Sequence, residues 1–571
     1  MKWAVSDSDQ AAVEALANAA GVCPPAARVL FARGIRDAAA VRQFLAPAAA
    51  DFHDPFLLKS MDLAAPRLAS AIQQKQPILL YGDYDVDGTS ALVLLKKVID
   101  LAGGVATCFV PHRLRDGYGM KSEVVQDAAA QGVRLIVSVD TGIRANDVVL
   151  CANELGIDVI VTDHHLPEAD LPPALAVLNP NRRDCDYPEK NLCGAGVALK
   201  LADGLMRELG WDHPRREKIL DSLLKIVAIA TVADVVPLTG ENRVIVKRGL
   251  EGLRNVTNPG LRALLQVSDI EPGAAPTARQ VGFQIAPRIN AAGRMASASD
   301  VVELFTTSDP TRARTLAQHL DELNKDRRQT EDGIRQAILE QCLAQPVTDD
   351  DFALVFAGEG WHRGVVGIVA SRVVARYHRP VFVLGIENGL ATGSGRSIRQ
   401  FHLLDALEAM PDLFSKFGGH RQAAGLTLAA ERIEEFRARF RDHAATKLTI
   451  HDFEPEIEID SEISFDEITD ENVMELLNLA PFGMGNPAPV FVARGAKVAS
   501  VEIKNEKHVF GKITQGKKTL RLKAWDFVSR AGGFTQGANV DVVLQFEDDA
   551  YSAKRGYAPW QTMLLDYASA R

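Results

Sequence analysis

The stretch Gly82-Asp83-Tyr84-Asp85-Val86-Asp87-Gly88 follows an apolar run at residues 77–81, and its reading decides the fold. A short apolar run that stops at carboxylates and glycines has the pattern of a buried strand ending in a turn. Asp85 and Asp87 stand two apart, so in extended backbone their side chains share a face. Carboxylates held that close repel one another unless a cation neutralises them. Taken alone, the run is either a metal-binding loop or a solvated turn. A calcium loop is the weaker option, because the Glu required at its twelfth position is missing.

Outward from this stretch the pattern repeats. Apolar runs recur at residues 105–110, 133–139 and 157–161, separated by helix-like stretches such as 89–100 and 144–155. Strand, helix and strand in alternation predict βαβ units with right-handed crossovers, hence a parallel sheet with helices on both faces. One later run ends in Ser138-Val139-Asp140-Thr141-Gly142 and the next in Val161-Thr162-Asp163-His164-His165. The carboxyl ends of parallel strands are where such sheets place their ligand crevice. Oxygen ligands with imidazoles suit Mn²⁺ well and Mg²⁺ less well, and a pair of such ions can clamp the attacking and leaving oxygens of a phosphodiester. Asp234 lies inside the apolar run at residues 230–236. A charge there needs a cation or strong hydrogen bonds, so it is either a further ligand or a cap on a neighbouring helix.

The chain has 571 residues, enough for three or four domains. Its 47% hydrophobic and 24% charged content is that of a soluble globular protein. A net charge of −10 excludes a uniformly basic nucleic-acid coat but not a local basic groove. The six cysteines form no C-x-x-C pair, which points to a reducing cytoplasm. The start, MKWAVSDSDQ, lacks the basic and apolar regions of a signal peptide. The apolar stretch 219–238 is interrupted by Asp221, Lys225 and Asp234, so it reads as a buried helix and no membrane association is expected.

The expected class is α/β. Residues 1–45 read as a helical segment, 46–240 as the parallel-sheet catalytic domain, and 241–345 as a helical connector ending in a long helix. Residues 346–445 read as a second α/β domain. Residues 446–571, with short alternating strands and Gly turns, read as a small β barrel or sandwich.

Gly82 to Gly88, Val139-Asp140-Thr141-Gly142, Asp163-His164-His165 and Ala233-Asp234 together resemble the successive motifs of the DHH phosphoesterase superfamily. Three segments are similar to its RecJ branch: GDYDVDG itself, Pro111-His112-Arg113 with Gly117-Tyr118-Gly119, and Pro481-Phe482-Gly483-Met484-Gly485-Asn486-Pro487. The resemblance spans about residues 30–570. It implies that Asp85, Asp87, Asp140, His164 and Asp234 ligate two Mn²⁺ or Mg²⁺ ions. Asp83 and Asp163 would orient the ligands, and His165 would face the scissile phosphate. It further implies a 5′→3′ exonuclease that degrades single-stranded DNA to mononucleotides in repair and recombination. The alternative is a phosphodiesterase for short oligonucleotides or cyclic dinucleotides. A helicase and a single-strand-binding protein are the implied partners, a monomer the implied state, and the C-terminal module an OB fold.

In the second half, Gly393-Ser394-Gly395-Arg396-Ser397 has the composition of a loop whose amides approach phosphate oxygens, with an Arg as a bidentate donor. By itself it would more often be a surface turn. This segment and Phe417-Gly418-Gly419-His420 resemble the DHH-associated domain, which makes Ser394, Arg396, Arg399 and His420 candidates for substrate phosphate. Arg288 is a candidate for the 5′-terminal phosphate or for an interdomain salt bridge. Lys504, Lys507, Lys512, Lys517, Lys518, Arg521 and Lys523, with Phe510 and Trp525 among them, suit a single strand or simply a solvated basic face.

Overall fold

The structure, a computed structural model, describes residues 1–570 apart from Ser8, Leu114 and Tyr118. The first half is built on five parallel strands in the spatial order Val105–Phe109, Pro77–Gly82, Leu135–Val139, Asp158–Thr162, Ala176–Leu178. Side-chain alternation divides each strand between two cores. Ile78 and Leu80 pack with the helices Val86–Leu101, Gly194–Glu208 and His213–Ala233, while Leu79 and Tyr81 pack with Ser122–Ala130 and Asn146–Glu154. From Pro77–Gly82 the chain first adds a neighbour on one side and then crosses to the other. The crevice of a doubly wound sheet opens at that switch point, above Asp83–Asp87 and Asp140.

The turn into Val86–Leu101 is forced by its own residues. Asp85 caps the helix, its Oδ1 accepting from the amides of Asp87 (2.9 Å) and Gly88 (3.1 Å). A Cβ on Gly88 would lie 2.6 Å from the Asp83 backbone, so no larger residue closes this turn.

The 35-residue helix Pro310–Ala344, about 50 Å long at 1.5 Å per residue, joins two cores. Leu316, Leu320 and Leu323 belong to the first-domain core, and Ile334 and Ile338 to that of the second α/β unit. The second sheet has the order Lys416–Gly419, Ala423–Ala429, Leu390–Arg396, Val381–Glu387, Leu354–Glu359, and only the last pair is parallel. Gly393-Ser394-Gly395-Arg396 is therefore a central strand, which corrects both the phosphate-loop and the surface-turn readings. Its glycines serve close packing: a Cβ would lie 2.1 Å from the Val383 carbonyl at Gly393 and 2.6 Å from the Phe382 ring at Gly395.

The C-terminal strands Val490–Lys504, His508–Gln515, Lys518–Ala524, Trp560–Ser569 and Asn539–Asp548 close into a five-stranded barrel through pairing of the first with the last. Residues 1–45 carry the helices Gln10–Ala20, Pro24–Ala32 and Ala38–Leu45 and pack on the barrel. Lys2–Val5 forms a strand parallel to Glu456–Ile459, and Val13, Leu16 and Leu30 enter the barrel core beside Phe465 and Val473. Arg33 then binds Asp460 at 3.2 Å. Arg243, on the helix Gly240–Gly252 of the connector, donates to the carbonyls of Phe44 (2.6 Å), Leu479 (3.0 Å) and Ala480 (2.9 Å). The two ends of the chain are thus fastened together and to the connector, closing a ring. No single helix is long and apolar enough to cross a membrane among the described residues.

Candidate metal centre and cleft

Three strand ends and one helix end bring their acidic groups together. Asp83, Asp85 and Asp140 have carboxylate oxygens within 4.8 Å of one another, as do ligand atoms of Asp87, His164 and Asp234, and of Asp140, His164 and His165. His164 Nε2 lies 3.2 Å from Asp140 Oδ1, 3.7 Å from Asp234 Oδ2 and 3.8 Å from Asp87 Oδ2. Asp83, expected only to orient the others, has its carboxylate in the cluster itself. Asp234 caps the C-terminus of His213–Ala233, where its charge opposes the helix dipole, and its carboxylate faces the cluster.

Fixed donors hold the set. The amides of Gly194 (2.5 Å) and Ala195 (2.8 Å), at a helix N-terminus, grip both oxygens of Asp87. Asp163 Oδ1 binds His165 Nδ1 (2.7 Å) and the His164 amide (2.7 Å), and its Oδ2 accepts from Ile143 N (3.0 Å). Asp163 thereby sets the orientation of the His165 ring and fixes the backbone at His164. Asp140 holds φ +57°, a strained conformation of the kind that persists where surrounding structure over-determines it.

The electrostatics calls for cations. Burial and the neighbouring Asp85 push the Asp83 carboxyl up to about 8; burial, then Asp87 and Asp85, push Asp234 up to about 9. Asp87 and Asp140 are raised as well, first by burial. Burial also opposes ionisation of Asp163, but the hydrogen bond and charge of His165 and the surrounding amides outweigh it and hold that carboxyl low. Asp83 Oδ1, Asp140 Oδ1, His164 Nε2 and Asp234 Oδ2 are sealed from solvent and make no aligned hydrogen bond among the described residues. Buried oxygens and an imidazole left without donors fit divalent cations of the Mn²⁺ or Mg²⁺ kind.

Across the cleft stands a cationic set from three separate parts of the chain. Arg113 follows the strand Val105–Phe109 and lies over the Tyr84 ring at 5.0 Å. Arg294, on the helix Ala286–Met295, donates to Gly364 O at 3.0 Å. Arg396 donates to Ser394 Oγ and to Gly395 O, both at 2.8 Å. Burial, followed by the charges of Arg113 and Arg327, pulls Arg294 down to about 10, with Arg396 adding to it; burial and then Arg113 lower Arg396. None of Arg113, Arg294 and Arg396 pairs with a carboxylate within 4 Å among the described residues. Guanidinium groups gathered without a counter-ion make an anion pocket.

Arg288 is not part of that pocket. It binds Asp321 at 2.9 Å and the Gln284 carbonyl at 2.5 Å, so its guanidinium is satisfied within the connector. Of the two readings for Arg288, the structure shows the salt bridge. In the sequence Arg294 is a weak signal, a lone cation among small residues, and Arg113 is part of the Pro111-His112-Arg113 motif. Tyr118 of the same motif lies outside the described residues. Ser394 faces Arg396. His420 lines a cavity of about 530 Å³ with His165, Arg144 and Thr141, beside the metal cluster. Arg399 is exposed, its carbonyl accepting from Arg421 at 3.1 Å. Trp361 packs over Gly358 and Gly385. On the barrel, Lys504, Phe510, Lys512, Arg521 and Lys523 line a groove of about 990 Å³, and Trp525 stacks edge-on against His508 and Phe510.

The sequence matches the DHH family N-terminal domain over residues 77–231, the DHHA1 domain over 349–446 and the RecJ OB domain over 459–558. It is 39% identical to the single-stranded-DNA-specific exonuclease RecJ of Bacillus subtilis over 559 residues, 97% of this chain and 70% of that protein. Against the RecJ of Dickeya dadantii the identity is 42%, covering 77% and 78% of the two chains. The crystal structure of Thermus thermophilus RecJ in complex with Mn²⁺ superposes with a TM-score of 0.85 at 30% identity, covering all of this chain and 80% of that one. The Mg²⁺ complex from the same organism gives 0.79 at 29% identity, with 100% and 79% coverage.

Proposed function

The chain belongs to the RecJ family of single-stranded-DNA-specific exonucleases, and on that premise we propose that it degrades single-stranded DNA from the 5′ end to mononucleotides, using Mn²⁺ or Mg²⁺. The observation that carries this reading is the pairing of two sites across one cleft. One is a carboxylate–histidine cluster with donor-starved atoms, and the other an arginine pocket with no carboxylate within 4 Å among the described residues.

Asp85, Asp87, Asp140, His164 and Asp234, with Asp83 beside them, hold the cations. Bound there, these supply the Lewis acidity that polarises a phosphodiester and eases deprotonation of an attacking water. The remaining work falls to side chains. Arg113, Arg294 and Arg396, with the Ser394 hydroxyl, hold the 5′-terminal phosphate and fix the register of the first linkage. His165, its ring held by Asp163 through Nδ1, contacts the scissile phosphate, and His420 closes the same side of the cavity. Lys504, Lys512, Arg521 and Lys523 on the barrel draw in the rest of the strand.

The same reading places the enzyme in the cytoplasm, as a monomer in repair and recombination. There it follows a helicase that supplies unpaired strand and works beside a protein that coats it. The test is digestion of 5′- and 3′-labelled single strands, with and without a 5′ phosphate, in Mn²⁺ and in chelator. Metal-dependent release of labelled mononucleotide from the 5′ end first is expected. Release from the 3′ end first, or stronger cleavage of a dinucleotide than of a long strand, overturns the proposal.

A further inference from the structure

Between the metal cluster and the barrel runs an apolar groove of about 440 Å³, within the roughly 300–1,000 Å³ range of ligand sites. Three large apolar side chains on its walls stand open to solvent: Val235 is 64% exposed, Phe283 65% and Met484 57%. They come from three different segments. Val235 follows the candidate ligand Asp234, Phe283 lies on a helical turn before Ala286–Met295, and Met484 lies in the loop between the helix Asp470–Leu477 and the barrel strand Val490–Lys504.

We propose that this groove is a nucleobase wall, in which the first unpaired bases of the bound strand rest against Phe283, Val235 and Met484. The proposal rests on the single-strand exonuclease reading and adds a contact to the bases. Two of the three segments are held in an unusual backbone state, and the third is tied down by its neighbours. Val235 is β-branched yet sits at φ +59°, the left-handed region that such residues avoid. Phe283 lies in the π-helical turn Val281–Ile285, a rare form that occurs mostly as single turns within helices and is frequent at functional sites. The Met484 loop is pinned at its tip: the Met484 carbonyl accepts from Leu238 N at 2.7 Å, and a Cβ on Gly485 would lie 3.0 Å from Pro237.

The occupant follows from what lies at either end. Asn290 lines the groove while its Oδ1 accepts from Val86 N at 3.2 Å inside the metal loop, and Arg294 of the anion pocket lines it too. Toward the barrel, Arg279 lines the groove and binds Glu547 at 2.7 Å; Glu547 stands opposite Gln561, which lines the basic barrel groove together with Trp560. A strand held at its 5′ phosphate by the arginines and farther along by the barrel has to cross this surface. Only unpaired bases expose the flat apolar faces that stack on such side chains.

The test places a single abasic residue at each of the first five nucleotides of a 5′-phosphorylated strand. Wild-type, Phe283→Ala, Met484→Ala and Phe283→Trp enzymes are then compared, with metal affinity measured by calorimetry. In the wild type, one or two abasic positions should lower kcat/KM by roughly 5- to 100-fold, the size of a lost base–aromatic stack. Phe283→Ala should degrade the intact strand more slowly and remove most of that position-dependent penalty at unchanged metal affinity, and Phe283→Trp should restore it. A penalty of full size in both alanine variants overturns the wall, as does a wild type indifferent to every abasic position. A wild type that leaves single strands intact overturns the exonuclease reading and the wall with it.

Discussion

At Asp83 and Asp234 the chain stores carboxyl groups whose affinity for protons is raised, to about 8 and about 9, by burial and by one another's neighbours. A carboxyl whose folded pKa lies above its unfolded value binds more protons in the folded state. Its stabilising contribution is therefore present below the ordinary carboxylate range and lost as pH rises toward 8–9. Metal-free protein should melt at a lower temperature at pH 9 than at pH 6, and Mg²⁺ should reduce that loss because it binds the ionised form. A melting temperature that rises with pH in chelator contradicts this account. The two arginines of the helix Ala286–Met295 give a second contrast. Arg396→Ala and Arg294→Ala each remove a charged donor to phosphate, about 1.5–3 kcal/mol or about 10- to 150-fold in kcat/KM on 5′-phosphorylated strands. Arg288→Ala, like Asp321→Ala, should lower the melting temperature and leave the preference for a 5′ phosphate intact. Comparing phosphorylated with unphosphorylated strands checks both expectations.

Among the elements, the helix Ala286–Met295 matters most because it touches both sides of the cleft. Its Gly293 leaves no room for a side chain: a Cβ there would lie 2.5 Å from the Tyr84 carbonyl, in the loop that carries Asp83, Asp85 and Asp87. Gly293→Ala should push the helix off that loop, costing about 1–3 kcal/mol as overpacking and weakening metal binding measured by calorimetry. Unchanged melting and metal affinity would show that the helix does not brace the loop. Four of the five strands of the first sheet were legible because hydrophobic runs of five to seven residues alternate with helix-length stretches, and carboxylates follow three of those runs in sequence; the short edge strand Ala176–Leu178 was not among them. Nor was Leu390–Arg396 legible. Glycine carries the same signal in a loop as in a strand that passes close to a neighbour, and only the Val383 carbonyl and the Phe382 ring distinguish the two.

At the scale of the whole molecule, the ring closed by residues 1–45 supports the barrel. Deleting them should expose the apolar face around Phe465 and Val473 and make residues 450–560 the first target of limited proteolysis, while the parallel sheet resists. A barrel that stays resistant would mean that it folds without this cover. The amino-acid sequence by itself determined the α/β class, the parallel sheet and the metal cluster. Each of these depends on residues close together in the chain: an apolar run, the turn after it, and the carboxylates on that turn. Only the tertiary structure decided which cations face the metals. Arg288 and Arg294 are six residues apart on one helix, which turns them about 120° from one another, and the packing of that helix against Asp321 and Tyr84 assigns one to the connector and the other to the cleft. The same holds for the first 45 residues and the last 120. Their shared core and the open wall of Val235, Phe283 and Met484 arise where segments hundreds of residues apart meet, and no local pattern records such a meeting.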